Sequence, residues 1–82
     1  MNDLNSTIAL MKSADYKERF KAEYWQLVIR FTKLNAMLTA WDNGTLTFEP
    51  TCPRGVYNLQ IRAMADYIAV LEARAAIEGI EL

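Results

Sequence analysis

Apolar residues recur at heptad spacing through the first half of the chain. Phe20, Tyr24, Leu27, Phe31, Leu34, Leu38 and Trp41 follow one another in steps of four and three. That is the pattern of a helix lying along another helix. Ser13 or Asp15 can cap its start, and Glu18 follows Asp15 at capping-box spacing. Gly44, after Asn43, can take the left-handed conformation that ends a helix. The spacing predicts a helix over 15–43, a rod of about 42 Å at roughly 1.5 Å per residue.

A second seam follows: Tyr57, Ile61, Met64, Ile68, Leu71 and Ala75. It predicts a helix over 53–78, with Thr51 as a candidate cap, Pro53 in the first turn and Gly79 as its stop. The connection, 44–52, is punctuated by Gly44 and Pro50, and Thr45, Thr47 and Thr51 disfavour helix there. Leu46 and Phe48 are expected to plug the open end of the hairpin. Residues 1–14 read as a short helix or arm, with Asp3, Asn5 or Ser6 as possible caps and Ile8, Leu10 and Met11 as its apolar residues. The expected fold is all-α: a long antiparallel helical hairpin over 15–82, with a short tail and an N-terminal arm.

Two seams do not exhaust the apolar surface. Trp25, Val28, Ile29, Thr32 and Ala36 form another stripe on the first helix. Ala63, Tyr67, Val70 and Ala73 to Ala76 form a smooth flank on the second. A chain of 82 residues has a thin core, and small scaffolds need further support. Self-association into an oligomeric bundle, a dimer or higher, is the expected solution.

The charge is −1 and there is no histidine. No global basic field favours a nucleic-acid polymer. Cys52 is the single cysteine, so no internal disulfide and no zinc site are expected. Without histidine the commonest general base is missing, and no Ser-His-Asp triad can form. No cofactor, metal or catalytic residue is expected, and the reading is a non-enzyme. The N-terminus lacks the cationic start and long apolar run of a signal peptide, and no stretch approaches a membrane span. The expected location is the cytoplasm.

What remains is binding chemistry. Arg30 and Arg62 flank the two seams, and Arg54 sits in the first turn of the second helix, where a helix N-terminus already favours an anion. Tyr24, Trp41 and Tyr57 offer flat faces. Guanidinium for phosphate and rings for a base are the parts that hold a nucleotide. The competing reading makes the aromatics seam residues and lets the arginines pair with acids, as in Arg19 with Glu23 and Arg74 with Glu78. Composition alone favours the competing reading.

Three stretches carry a resemblance: ERFKAEYWQLVIRFTKL over 18–34, GTLTFEPTCP over 44–53, and LQIRAMADYIAVLEARAAIEGIEL over 59–82. They resemble a family of small phage and prophage proteins related to one from crAss-like phages. The loop signature Phe48-Glu49-Pro50-Thr51-Cys52-Pro53 is its most specific part. That family is similar in layout to phage anti-defence hairpins of the anti-CBASS and anti-Thoeris type. The resemblance implies an oligomer that sequesters a small nucleotide immune signal, a cyclic dinucleotide or a cyclic ADP-ribose-type molecule, without turnover in the host cytoplasm. The candidate ligand residues are Arg30, Arg62, Arg54, Tyr57, Tyr24 and Trp41. The alternative is a helical module that binds a host or phage protein through an exposed patch at Trp25, Val28 and Ile29.

Overall fold

Local capping sets each helix boundary. The computed structural model describes residues 3–82, so the first two residues of the expected arm lie outside the described residues. A 3-10 turn over Leu4–Thr7 is capped by Asp3, whose side chain accepts from the Ser6 N–H at 3.0 Å. It runs into a short helix, α1, Ile8–Met11. The long helix α2 spans Tyr16–Asp42 and α3 spans Arg54–Glu78. The fold is all-α, and no strand occurs among the described residues. The molecule is a rod of 43 × 24 × 17 Å.

Asp15 caps α2, accepting from the Lys17 N–H at 2.9 Å. Glu18 does not reach back to the capping residue, as a capping box would have it. It accepts from the Ser13 hydroxyl at 2.9 Å, and the Ser13 oxygen accepts from the Asp15 N–H at 3.1 Å. Ser13 therefore relays the box. At the other end Gly44 has φ +73°. Its N–H donates to Trp41 and that of Thr45 donates to Ala40. These two bonds make a Schellman motif, which satisfies carbonyls that the helix end leaves unpaired.

Thr51 does not cap α3. Pro53 occupies that position and no side chain caps the helix. Pro53 has no N–H to satisfy, and its fixed φ of −58° leads into the first turn. Gly79, at φ +70°, ends α3 and turns Ile80 inward, where it is buried.

The helices α2 and α3 pack antiparallel along their seams. Phe20, Tyr24, Leu71, Ala75 and Ile80 form the core cluster, with Trp25, Leu27, Val28 and Ile68 against it. Leu71 is 1% exposed. The cluster lies at the end away from the 43–53 connection. Tyr24 donates to Glu72 at 2.7 Å, and Tyr67 donates to Glu23, so each flank of the hairpin is tied by one cross-helix bond.

The arm has its own place. Ala22, Gln26 and Ile29 share a face of α2 half a turn from the Phe20–Leu38 seam, by their spacing of four and three. Ala22 and Ile29 are buried there. Gln26 Nε2 donates to Thr7 Oγ1 at 2.9 Å and contacts Met11 Sδ at 3.5 Å. Thr7 is 0% exposed, and its hydroxyl donates to the Leu4 carbonyl at 2.7 Å. The first half of the second stripe of α2 is therefore covered within one chain, while Thr32 and Ala36 stay exposed. Ile29 lies on the arm's face and Trp25 and Val28 lie against the core, so the patch expected at these three positions is not an open surface.

Candidate ligand site at the loop end

The end of α2 and the start of α3 meet at a cluster built from Trp41, Asp42, Arg54 and Tyr57. Trp41 is the last residue of the α2 seam and Tyr57 the first of the α3 seam. Their rings meet edge to face, with centroids 6.0 Å apart. This geometry suits the charge distribution of aromatic rings. The Arg54 guanidinium carbon lies 5.9 Å from the Trp41 centroid, within the range of a cation–π contact. Asp42 accepts from Arg54 at 3.2 and 3.1 Å, and Asn58 accepts from it at 2.6 Å. The hydrogen bond from Arg54 holds the Asp42 carboxyl below its ordinary value of 3.8, against slight desolvation.

Beside this cluster the 43–53 connection folds around a cleft of about 430 Å³, lined by Trp41, Leu46, Phe48, Glu49, Pro50 and Cys52 among others. That is the size range of small-molecule pockets. Leu46 and Phe48 do not plug the hairpin. Phe48 is 58% exposed and both side chains wall the cleft. The Schellman turn at Gly44 carries the chain away from the helix axis, and it returns through a bend at Thr51 and Cys52 to Pro53, whose ψ of 144° leads into α3. The walls are mixed: Trp41, Leu46, Phe48 and the prolines supply apolar surface, and Glu49, Thr51 and Cys52 supply polar groups. The charges around them among the described residues are Glu49, Asp42 and Arg54, and Arg54 already has a carboxylate partner.

The six candidate ligand residues fall in different places. Trp41, Arg54 and Tyr57 are brought together. Trp41 lines the cleft, and Tyr57 buttresses it edge-on without lining it. Tyr24 lies in the core cluster, its ring 5.1 Å from that of Trp25 and its hydroxyl held by Glu72. Burial, then the Glu72 bond and charge, push this phenol up to about 12. Arg30 is exposed, two turns from Glu23 on the flank that Tyr67 crosses. Arg62 is exposed one turn from Asp66 on α3. Neither makes an ion pair with a described residue.

Two competing pairings were also resolved. Arg74 bonds Glu78 at 2.8 Å and lies over the Phe20 ring at 4.9 Å. Arg19 does not pair with Glu23; its guanidinium donates to the Ser13 carbonyl at 2.9 Å. Among the described residues there is no group of three metal-ligating side chains, and no helix is long and apolar enough to cross a membrane.

The fold and cleft define a small helical-hairpin protein with a loop-end pocket. A family model described as Sequestin matches residues 14–77. The match spans most of the 82 residues, and the chain belongs to the Sequestin family. No curated protein and no solved structure matches it.

Proposed function

We propose that this chain binds and sequesters a small nucleotide signal, a cyclic dinucleotide or a cyclic ADP-ribose-type molecule, without turning it over. In this reading it is a phage anti-defence protein acting as a homo-oligomer in the host cytoplasm. The observation that carries the reading is the Arg54–Trp41 contact beside a cleft of about 430 Å³ with mixed apolar and polar walls. A base stacks on the ring and a phosphate takes the guanidinium. The family's name, which denotes sequestration, supports it.

The chemistry of the cleft agrees with binding rather than turnover. Cys52 lines it, but the chain contains no histidine to act as its base, and the neighbouring cation, Arg54, is held by Asp42. Arg54 is already bonded to Asp42, so an anionic ligand must win it from that carboxylate. Arg30 and Arg62 lie outside the cleft lining and take no part in this contact set.

Thermal melting tests the reading. A panel of cyclic dinucleotides, cyclic ADP-ribose isomers and ADP-ribose is added in large excess. A ligand present at 100 times its Kd adds about 2.7 kcal/mol of apparent stability. At least one member should raise the melting temperature, and Trp41→Ala and Arg54→Ala should remove the shift. The ligand should be recovered unchanged after denaturing the complex. No shift from any member overturns the proposal, and recovery of a cleaved product makes the protein an enzyme.

A further inference from the structure

The helix α3 carries two heptad seams. One faces α2. The other, on the opposite side, is Val56, Leu59, Ala63, Val70, Ala73 and Ile77, with Asp66 in the central position, in steps of three and four. All of these residues are exposed; Leu59 is 67% and Ile77 is 84% open. The flanking Tyr67 and Arg74 turn away from this seam, to Glu23 and over Phe20. An exposed apolar stripe that runs the length of a helix, interrupted by one acid, is the signature of a helical partner.

We infer that this seam pairs antiparallel with the same seam of a second copy across a two-fold axis, with Arg62 of each copy against Asp66 of the other. The inference rests on the homo-oligomer part of the reading above and is independent of the ligand. Charge selects the occupant. Asp66 is the one acid in the seam, and a carboxylate there needs a cation. Arg62 stands one turn away at the seam's edge, and neither residue makes an ion pair with a described residue. A parallel pair would set Asp66 against its own copy. The antiparallel register that places Ala63 opposite Asp66 also places Leu59 opposite Val70 and Val56 opposite Ala73. Larger residues then face smaller ones, as interdigitating layers require. The same register sets Arg62 beside the opposing Asp66. A seam that complements itself in size and charge about one point specifies a symmetric dimer.

Sedimentation of wild type, Leu59→Glu, Asp66→Arg and the double variant Arg62→Asp/Asp66→Arg tests this, with circular dichroism as a check that the helices persist. Leu59 is exposed in the hairpin, so its variant should keep its helicity. Wild type should sediment at twice the chain mass of 9.4 kDa. Leu59→Glu and Asp66→Arg should sediment as monomers, and the double variant should recover the dimer. A monomeric wild type overturns the homo-oligomer and the seam together. An oligomer that survives Leu59→Glu overturns the seam alone, and a double variant that stays monomeric overturns the Arg62–Asp66 register. In each of these cases the melting panel still reports on the ligand separately.

Discussion

Arg54, the first residue of α3, grips both carboxylate oxygens of Asp42, the last residue of α2, at 3.2 and 3.1 Å. This clasp closes the connection between the helices and sets the guanidinium over Trp41. It also makes Asp42 the competitor of any anion that uses Arg54. Asp42→Asn should therefore tighten binding of a cyclic dinucleotide or cyclic ADP-ribose by roughly three- to tenfold in calorimetry. A weaker or unchanged affinity would show that the ligand does not take Arg54 from Asp42.

Leu71 is the most enclosed apolar side chain of the hairpin core. Leu71→Ala should cost about 2–5 kcal/mol, as buried leucine truncations do. For a domain this small that is a large share of total stability. Urea denaturation should show the midpoint falling steeply or the fold lost at 25 °C.

Thr7 links the arm to α2. Thr7→Val keeps the shape but removes the acceptor for Gln26 and the donor to Leu4. The expected loss is about 1–2 kcal/mol in chemical denaturation. Limited proteolysis should then cut within residues 3–14 before the hairpin. Equal resistance in wild type and variant would show that the arm is held by apolar contact alone.

Tyr24 gives the protein an alkaline limit. Burial and Glu72 raise its phenol from 10.0 to about 12. A raised acid stabilises the native state fully below its ordinary value, and that contribution is lost as pH rises from about 10 toward 12. Melting temperature followed from pH 9 to 12 should fall, and Tyr24→Phe should fall less steeply over the same window. Parallel curves would locate the alkaline loss elsewhere.

Gly44 tests the Schellman turn. Its φ is +73°, and a Cβ there would meet no atom within 4 Å. Gly44→Ala should therefore lower stability through backbone conformation alone, by about 1 kcal/mol. A larger loss in thermal denaturation would mean that the turn's geometry also controls how α2 and α3 dock.

The all-helical fold and its facing seams were legible because a heptad repeat has no other use of comparable length. Phe20, Tyr24, Leu38, Leu71 and Ala75 all end in the interior. The seat of the arm was not legible, because it depends on a polar pair, Thr7 with Gln26, that leaves no periodic trace. Ile29 reads in the sequence as part of a surface awaiting another subunit because nothing in its spacing names its cover. At the loop end, seam positions brought Trp41 and Tyr57 together and helix-terminal position brought Arg54. The cleft beside them depends on the path of 44–53, which Gly44 and two prolines set through backbone angles. Tyr24 was offered as a stacking face, and its burial with Glu72 could not be read without the partner helix.

The placement of the core cluster makes the hairpin mechanically lopsided, like a tuning fork gripped at one end. Phe20, Leu71, Ala75 and Ile80 hold the base, while toward the loop end one buried leucine, Leu38, is joined by an exposed clasp and one aromatic edge. Opening that end breaks few buried contacts, so its amides should exchange with solvent well ahead of those around Leu71.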